Sequence, residues 1–220
     1  MTAIGAPQRP WTRIEADSGA LLRRPTPVGA SCYVPGVPRS IYYTASTLNG
    51  FLATEDDSLE WLLSIPQEDV TGDIESFIAG IGALALGSAT YEWVLRTENP
   101  LERPENWTRW YADRPTFVFT SRELPTVPGV DIRFVHGDVD AHWDALAAAA
   151  GDHDLWVMGG GDLAGQFADA GHLDELVITI APTTLTSGKP LLPRNIGWDR
   201  LTLMGVRQLG RFAELRYRVR

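Results

Sequence analysis

The sequence predicts an α/β fold: a mostly parallel sheet with helices on both faces and a C-terminal antiparallel hairpin. Short apolar runs alternate with helical patterns through the middle of the chain. That alternation is typical of parallel strands joined by right-handed crossover helices. Residues 201–220 instead alternate apolar and polar side chains in their second half, which indicates antiparallel strands with one face in solvent.

The composition limits the classes of protein to which the chain can belong. A length of 220 residues with 44% hydrophobic residues fits one soluble domain with an extension. The formal net charge of −9 argues against partners such as nucleic acid or an anionic membrane. One cysteine and four scattered histidines do not suggest a disulfide framework or a metal site. Because no apolar run is long enough to span a bilayer, we expect a cytoplasmic protein.

Two parts of the chain differ in character. Residues 1–39 are rich in Pro, Gly, Ser and Arg and show little periodicity, so we interpret them as an irregular N-terminal arm. This arm is either a disordered tail or a segment that wraps a neighbouring subunit. Regular patterns begin at Ser40, which places one domain over residues 40–220.

The domain begins with a strand, because residues 41–45 combine aromatic and β-branched side chains. Two helices follow in DSLEWLLSIP and DIESFIAGIG, whose helical spacing continues to Ile81. The run ALALG is a short buried strand that Gly87 ends, and Ser88 is suited to cap the next helix. Further strands are predicted at residues 116–120 and 132–135.

The second half repeats the alternation. DAHWDALAAAAG is a helix that ends at Gly151, and LWVMGGG, DLAGQFADAG and ELVITIAP follow as strand, helix and strand. The closing segment alternates between an apolar set of side chains and a polar set expected in solvent: Ala213, Leu215, Tyr217 and Val219 against Glu214, Arg216 and Arg218.

Aromatic side chains are concentrated before the strand at 116–120. We expect Trp61 and Trp93, which lie in helical patterns, to be core residues. The segment NWTRWYADRP follows a Pro-rich stretch and looks like a loop. We therefore favour a substrate pocket or a dimer contact for Trp107, Trp110 and Tyr111 over plain packing.

The strand end in LALGSATYE carries groups that could hold a ligand, as the carboxyl ends of strands do in open α/β sheets. Gly87 allows close approach, and the amides and hydroxyls of Ser88 and Thr90 could face a phosphate at the helix N-terminus. The same residues also fit an ordinary helix start.

The strand end in FVFTSRELP offers two hydroxyls and a guanidinium, from Thr120, Ser121 and Arg122. This combination suits a phosphate monoester, such as the 2′-phosphate of NADP, through charge-assisted hydrogen bonds. A solvated turn would have the same composition.

The third strand end, VMGGGD, places three glycines between a strand and a helix. Gly159, Gly161 and Ala164 match the dinucleotide pattern GxGxxA, with Gly160 between the two glycines. The motif lies too far along the chain for the first unit of a Rossmann fold, and no acidic residue ends the next strand to bind a ribose. Asp162 would repel a pyrophosphate, unless it caps the helix and leaves the glycine amides to face the ligand.

Taken in order, these motifs resemble the dihydrofolate reductase-like family, in the branch of the C-terminal reductase domain of bifunctional riboflavin-biosynthesis proteins (the RibD C-terminal domain). The resembling segments are TASTLNGFLATEDDSLEWL, ALALGSATYE, FVFTSRELP, the run from LWVMGGG to GKPLL, and the closing hairpin. The resemblance covers residues 40–220. It implies a homodimeric, NADPH-dependent reductase of the dihydrofolate reductase-like fold with a small, heterocyclic substrate.

The resemblance also implies roles for individual residues. Those that would bind the cofactor come from four segments: Ala45 and Leu52 near the nicotinamide; Gly87, Ser88 and Thr90 at the phosphates; Thr120, Ser121 and Arg122 at the adenosine ribose and its 2′-phosphate; Gly159, Gly160, Gly161 and Leu163 at the pyrophosphate and the nicotinamide ribose. The candidate catalytic residues are Asn49, where the family commonly has Asp, and Asp57, an acid that is otherwise a solvated charge at a helix start.

One departure bears on the substrate. Aminouracil reductases of riboflavin synthesis typically have Glu where this chain has Met158. We therefore expect a reductase with another substrate. Authentic 5-amino-6-(5-phosphoribosylamino)uracil reductase, or a nucleotide-binding protein of this fold without turnover, remains the alternative.

Overall fold

The computed structural model describes residues 37–66 and 71–220, so the predicted arm lies outside it except for residues 37–39. The strands are β1 (Ser40–Thr47), β2 (Phe51–Ala53), β3 (Ile81–Gly87), β4 (Thr116–Phe119), β5 (Ile132–Val135), β6 (Asp154–Gly159), β7 (Glu175–Ala181), β8 (Lys189–Pro190), β9 (Leu201–Leu209) and β10 (Phe212–Val219). The helices are α1 (Glu60–Leu63), α2 (Thr71–Ala79), α3 (Ser88–Glu98), α4 (Glu105–Tyr111), α5 (Val139–Ala150) and α6 (Gly161–Asp169), with a 3-10 turn at Trp198–Arg200. Among these described helices, none has the length and apolar character needed to cross a membrane.

Eight strands form one sheet in the order β5-β4-β3-β6-β1-β7-β10-β9. The first six are mutually parallel, and β10 runs antiparallel to both β7 and β9. The predicted parallel sheet with a closing hairpin is therefore confirmed. A separate two-stranded ribbon pairs β2 with β8. The carboxyl ends of the six parallel strands share one edge, where open α/β sheets bind ligands.

Helices cover both faces of the sheet, as the alternation predicts. On one face, Leu146 of α5 and Phe167 of α6 are fully buried in a cluster with Tyr42 of β1. On the other face, Phe77 of α2 packs edge-on against Trp156 at a ring-centroid distance of 5.3 Å. The helix α5 ends at Gly151, with φ at 60°, as expected of a glycine that stops a helix.

Three local predictions were wrong. The helical spacing that reached Ile81 does not extend α2, which ends at Ala79. Ile81 is the first residue of β3 and is buried there, at 3% exposure. Ser88 is the first residue of α3 and Gly87 is its N-cap. The predicted loop NWTRWYADRP contains α4, and Trp107 within it is completely buried, so it lines neither a pocket nor an interface. Tyr111 packs against Trp107 at a centroid distance of 4.9 Å.

The alternation in β10 also differs from the prediction. Glu214, predicted to face solvent, is only 3% exposed, whereas Ala213 is exposed. The carboxylate of Glu214 accepts hydrogen bonds from Arg207 of β9, at 2.7 Å from Nε, and from the Tyr43 hydroxyl at 3.4 Å. These partners allow a charged side chain to be buried at this position.

Candidate active site

A cavity of about 340 Å³ lies at the carboxyl edge of the sheet. The segment from β2 to α1 and the first turns of α3 form its two sides. Its lining residues are mostly apolar or small: Thr44, Ala45, Leu52, Ala53, Leu59, Leu62, Ala89, Thr90, Trp93, Met158, Gly160, Gly161, Pro190 and Pro193. The shape and lining are those of a site for a small molecule.

Three charged side chains complete the lining: Asp57, Asp162 and Lys189. The ammonium of Lys189 lies 3.8 Å from the carboxylate of Asp57, so the two form one polar pair beside the apolar wall. Hydrogen bonds from Gln166 and Arg194 lower the pKa of Asp162 from its ordinary value, which keeps that carboxylate ionised. The predicted cap is wrong, because Gly160 is the N-cap of α6, but the guanidinium of Arg194 lies 3.0 Å from the Asp162 carboxylate and offsets its charge. Within residues 37–66 and 71–220, no group of three or more His, Cys, Asp or Glu side chains is placed to hold a metal ion.

The three glycines at the end of β6 have different surroundings. Gly159 has φ at 126°, a conformation that side chains rarely adopt. A Cβ at Gly161 would lie 2.4 Å from the carbonyl oxygen of Pro190, so packing against the chain after β8 requires glycine there. Gly160 has φ at −75°, and a Cβ on it would meet nothing within 4 Å. The peptide bond between Gly159 and Gly160 is cis, and the backbone of Gly160 is open to the cavity.

The start of α3 lies next to this turn. A Cβ on Gly87 would be 3.6 Å from both the Gly159 carbonyl oxygen and the Gly160 nitrogen, so the ends of β3 and β6 are neighbours. Because Gly87 is the N-cap and has no side chain, the first N–H groups of α3 receive no cap from it. Ser88 and Thr90 lie in this first turn, and Thr90 lines the cavity. The arrangement suits an anionic group beside Gly160.

The end of β4 carries the third polar group. The N–H of Arg122 donates to the hydroxyl of Thr120 at 3.0 Å, which fixes the turn, and Ser121 is exposed within it. The guanidinium of Arg122 forms two hydrogen bonds with the carboxylate of Glu92 on α3, at 3.0 and 2.5 Å. The turn is therefore joined to the same helix whose N-terminus lines the cavity.

Eight of the fourteen predicted site residues do not line the cavity: Gly87, Ser88 and Gly159 at the ends of β3 and β6, Thr120, Ser121 and Arg122 at the end of β4, and Asn49 and Leu163, which make other contacts. The side-chain amide of Asn49 donates to the Leu185 carbonyl oxygen at 2.6 Å and accepts from the Leu185 N–H at 3.2 Å, so it ties a turn to a neighbouring loop. The side chain of Leu163 is only 4% exposed and belongs to the core with Phe167. Among the predicted residues, the cavity gathers Ala45, Leu52, Asp57, Thr90, Gly160 and Gly161.

Sequence reasoning missed most of the cavity wall, including Trp93 and Lys189. Trp93 packs against a core cluster, as predicted, but it also lines the cavity, and Lys189 was given no role. Met158 was noted only for its identity, although its place one residue before the glycine turn already pointed to the cavity. Lys189 lies in the segment from LWVMGGG to GKPLL that resembles the family, and this position was the available signal.

Comparison with known proteins defines the class of this chain. Residues 38–213 match the family model described as the RibD C-terminal domain, and the chain belongs to that family. The Bacillus subtilis protein YwjB, itself uncharacterized, is 28% identical over 179 residues, which cover 81% of this chain and 97% of YwjB.

Solved structures agree on the fold. A Shewanella sp. PV-4 protein described as a riboflavin biosynthesis protein matches with a TM-score of 0.66 and 22% identity, over 83% of this chain and 99% of that one. Dihydrofolate reductase from Enterococcus faecalis, complexed with NADP(H), matches with a TM-score of 0.54 and 18% identity, over 85% and 98% of the two chains. The fold is thus dihydrofolate reductase-like.

Proposed function

We propose that this protein is an NADPH-dependent reductase that transfers hydride to a small, flat, heterocyclic substrate. The observation that carries the proposal is the open backbone at Gly160, between the cavity and the N-terminus of α3. A Cβ on Gly160 would meet no atom beyond its chain neighbours within 4 Å, so a ligand has room to approach the backbone there closely. Membership of the RibD C-terminal domain family supports a nicotinamide cofactor as that ligand.

The residues present fit such a cofactor. The amides of Gly160 and Gly161 and the first turn of α3 suit its phosphates, and Ala45 and Leu52 lie in the cavity where its nicotinamide would rest. The turn with Arg122 suits the 2′-phosphate. When bound, the nicotinamide supplies the hydride, while the protein orients the two reactants and excludes water.

The cavity wall indicates the kind of substrate. Leu59, Leu62 and Trp93 offer an apolar surface against which a flat ring can pack, and the Asp57–Lys189 pair offers a donor and an acceptor at its side. Asp57 is our candidate for positioning or supplying the proton that accompanies the hydride. Met158 provides no carboxylate at the cavity, which favours a substrate other than the phosphoribosylaminouracil of riboflavin synthesis.

Binding of the cofactor can be measured by calorimetry or by the fluorescence of the reduced nicotinamide, with NADPH and NADH in parallel. We expect Arg122→Ala to weaken NADPH binding by about tenfold, because a charge-assisted contact to the 2′-phosphate is lost. NADH, which lacks that phosphate, should be affected less than about twofold. Equal losses for the two nucleotides would rule out the assignment of Arg122.

Turnover separates an enzyme from a nucleotide-binding protein of the same fold. Oxidation of NADPH should be followed with pterins, aminopyrimidines, the phosphoribosylaminouracil and small carbonyl compounds. Turnover of the phosphoribosylaminouracil alone would favour the riboflavin enzyme. Binding without turnover of any compound would favour the silent binder, and failure of both nucleotides to bind would contradict the proposal altogether.

We also propose that the protein is a homodimer. Leu203 and Val206 on the edge strand β9 are 53% and 61% exposed, an apolar surface that a second copy could cover. The cytoplasmic location expected from the sequence stays a prediction.

A further inference from the structure

The ion pair between Arg122 and Glu92 bears on which nicotinamide cofactor the site accepts. The inference rests on the proposed function, because it concerns the group assigned to the 2′-phosphate. Both terminal nitrogens of the guanidinium are bonded to the two carboxylate oxygens of Glu92, a bidentate geometry that holds the guanidinium in one place. The two side chains are 53% and 30% exposed, so a ligand can still reach them.

The guanidinium has five N–H donors, of which this geometry engages two. The remaining N–H groups can donate to a phosphate, but the positive charge that would attract the phosphate is already balanced by Glu92. A phosphate bound there would also lie close to the carboxylate. The guanidinium therefore has the geometry to bind a phosphate, but the Glu92 carboxylate cancels much of its electrostatic attraction for that phosphate.

We propose that Glu92 is a specificity-determining residue that keeps the preference for NADPH over NADH small, so that the protein binds both. A phosphate dianion about 6 Å from a carboxylate in water is repelled enough to lower its binding constant about tenfold. Physiological salt reduces that factor, since the Debye length is then about 8 Å. We expect the two nucleotides to bind the wild-type protein within about tenfold of each other.

The carboxylate also suits the cofactor without the phosphate. NADH has a free 2′-hydroxyl on its adenosine ribose, and a carboxylate beside Arg122 can accept a hydrogen bond from such a group. One residue thus acts on the two cofactors in opposite directions: its carboxylate repels the 2′-phosphate of NADPH and accepts a hydrogen bond from the 2′-hydroxyl of NADH. Discrimination between them is the difference of the two affinities.

The test is Glu92→Gln, which removes the charge and keeps the shape. We expect NADPH to bind about three- to tenfold more tightly and NADH to bind unchanged or up to about threefold more weakly, as measured by calorimetry at low salt. The gain for NADPH should shrink as sodium chloride is raised, because the effect is electrostatic. Glu92→Ala should change NADPH binding in the same direction, and thermal unfolding checks that both variants are folded.

Asp131→Asn is the matched control. Asp131 also forms two hydrogen bonds with an arginine, Arg133. It precedes β5 and so lies at the amino ends of the parallel strands, whereas Arg122 follows β4 at their carboxyl ends. It changes the net charge by the same amount and should leave both affinities unchanged.

The outcomes separate the two proposals. If wild type binds NADPH but Glu92→Gln leaves its affinity unchanged or lowers it, the role of Glu92 is wrong and the proposed reductase stands. A gain of equal size in Asp131→Asn would also overturn it, since the effect would then be one of net charge. If the wild-type protein binds neither nucleotide, the proposed function itself fails.

Discussion

At the scale of single residues, Gly159, Gly160 and Gly161 meet different constraints, and substitution can distinguish them. At Gly160 the φ of −75° suits alanine and the space around its Cβ is open, so alanine there should destabilise the folded state less than alanine at Gly161 does. Alanine at Gly161 would press its Cβ against the carbonyl oxygens of Pro190 and Leu191, at 2.4 and 2.5 Å. One substitution thus tests the ligand and the other tests the packing.

We expect Gly160→Ala to unfold within about 2 °C of the wild type and to bind NADPH about tenfold more weakly, because its methyl group occupies the space of the ligand. Gly161→Ala should lose about 1–3 kcal/mol of stability through overpacking. Thermal unfolding and nucleotide titration of both variants measure the two effects. Unchanged NADPH affinity in Gly160→Ala would show that no ligand approaches this backbone.

Residue types showed where the site lies but not how each side chain serves it. The glycine turn was identified from the sequence, yet only the surroundings reveal that a Cβ at Gly161 would meet backbone and that a Cβ at Gly160 would meet open space. Trp93 has helical spacing like any core residue, and its exposure to the cavity depends on which elements surround α3. Arg122 was predicted to bind a phosphate, and Glu92 was not anticipated as its partner because tertiary structure brings the two together.

At the scale of elements, β10 shows why alternation predicts a strand more securely than it predicts the solvated face. Phe212 and Glu214 are buried at one end of the strand, whereas Val219, on the other face, is buried at the other end. Each face is therefore covered over only part of its length. An alternating pattern carries no information about where a covering helix or loop stops.

The amino ends of the central strands hold a charged cluster with a testable pH dependence. Burial raises the pKa of Glu175, at the start of β7, above its ordinary value of 4.5, and Arg216 and Arg39 offset this only in part. The folded state therefore takes up the proton at higher pH than the unfolded state does. Between these two pKa values, lowering the pH adds stability, and the ionised carboxylate costs stability at neutral pH.

We expect Glu175→Gln, which imitates the neutral form, to raise the unfolding midpoint by about 1–3 °C at pH 7, with the difference shrinking as the pH approaches 4.5. Asp131→Asn should lower the unfolding midpoint at pH 7, because Arg133 lowers the pKa of Asp131 and stabilises its ionised form. Melting curves across this pH range measure both. A lower midpoint for Glu175→Gln at pH 7 would show that its ion pairs outweigh its burial.

At the scale of the whole molecule, the order of strands and helices was predictable because the hydrophobic period changes at each boundary. The parallel sheet, its crossover helices and the closing hairpin follow from those periods. The helix α4 was missed because a Pro-rich approach and a dense aromatic group resemble a loop. Its place is set by Trp107, which packs against Tyr91 of α3 at a centroid distance of 5.9 Å.

Strand β9, at one edge of the sheet, carries an apolar surface that results from its register with β10. Leu203 pairs with Tyr217 and Val206 pairs with Leu215, so these four side chains share one face. Residues three apart on a regular strand lie on opposite faces of the sheet. Here Met204 is an extra residue with no partner on β10, and this bulge brings Leu203 and Val206 to the same face. The result is a contiguous apolar surface on an edge strand, where pairing with another chain is easiest.

If this surface joins two copies, Leu203→Glu should convert a dimer into a monomer, because each interface would bury two unpaired carboxylates. We expect the dissociation constant to rise at least about a hundredfold, measured by sedimentation velocity across the micromolar range. Leu101→Glu is the control, since Leu101 is also exposed, at 38%, and lies outside β9 and β10. A wild-type protein that sediments as a monomer throughout, or a dimer that both variants retain, would contradict this interface. NADPH affinity should be the same in Leu203→Glu and the wild type, because β9 lies at the far end of the sheet order from β3 and β6, which carry the proposed phosphate site.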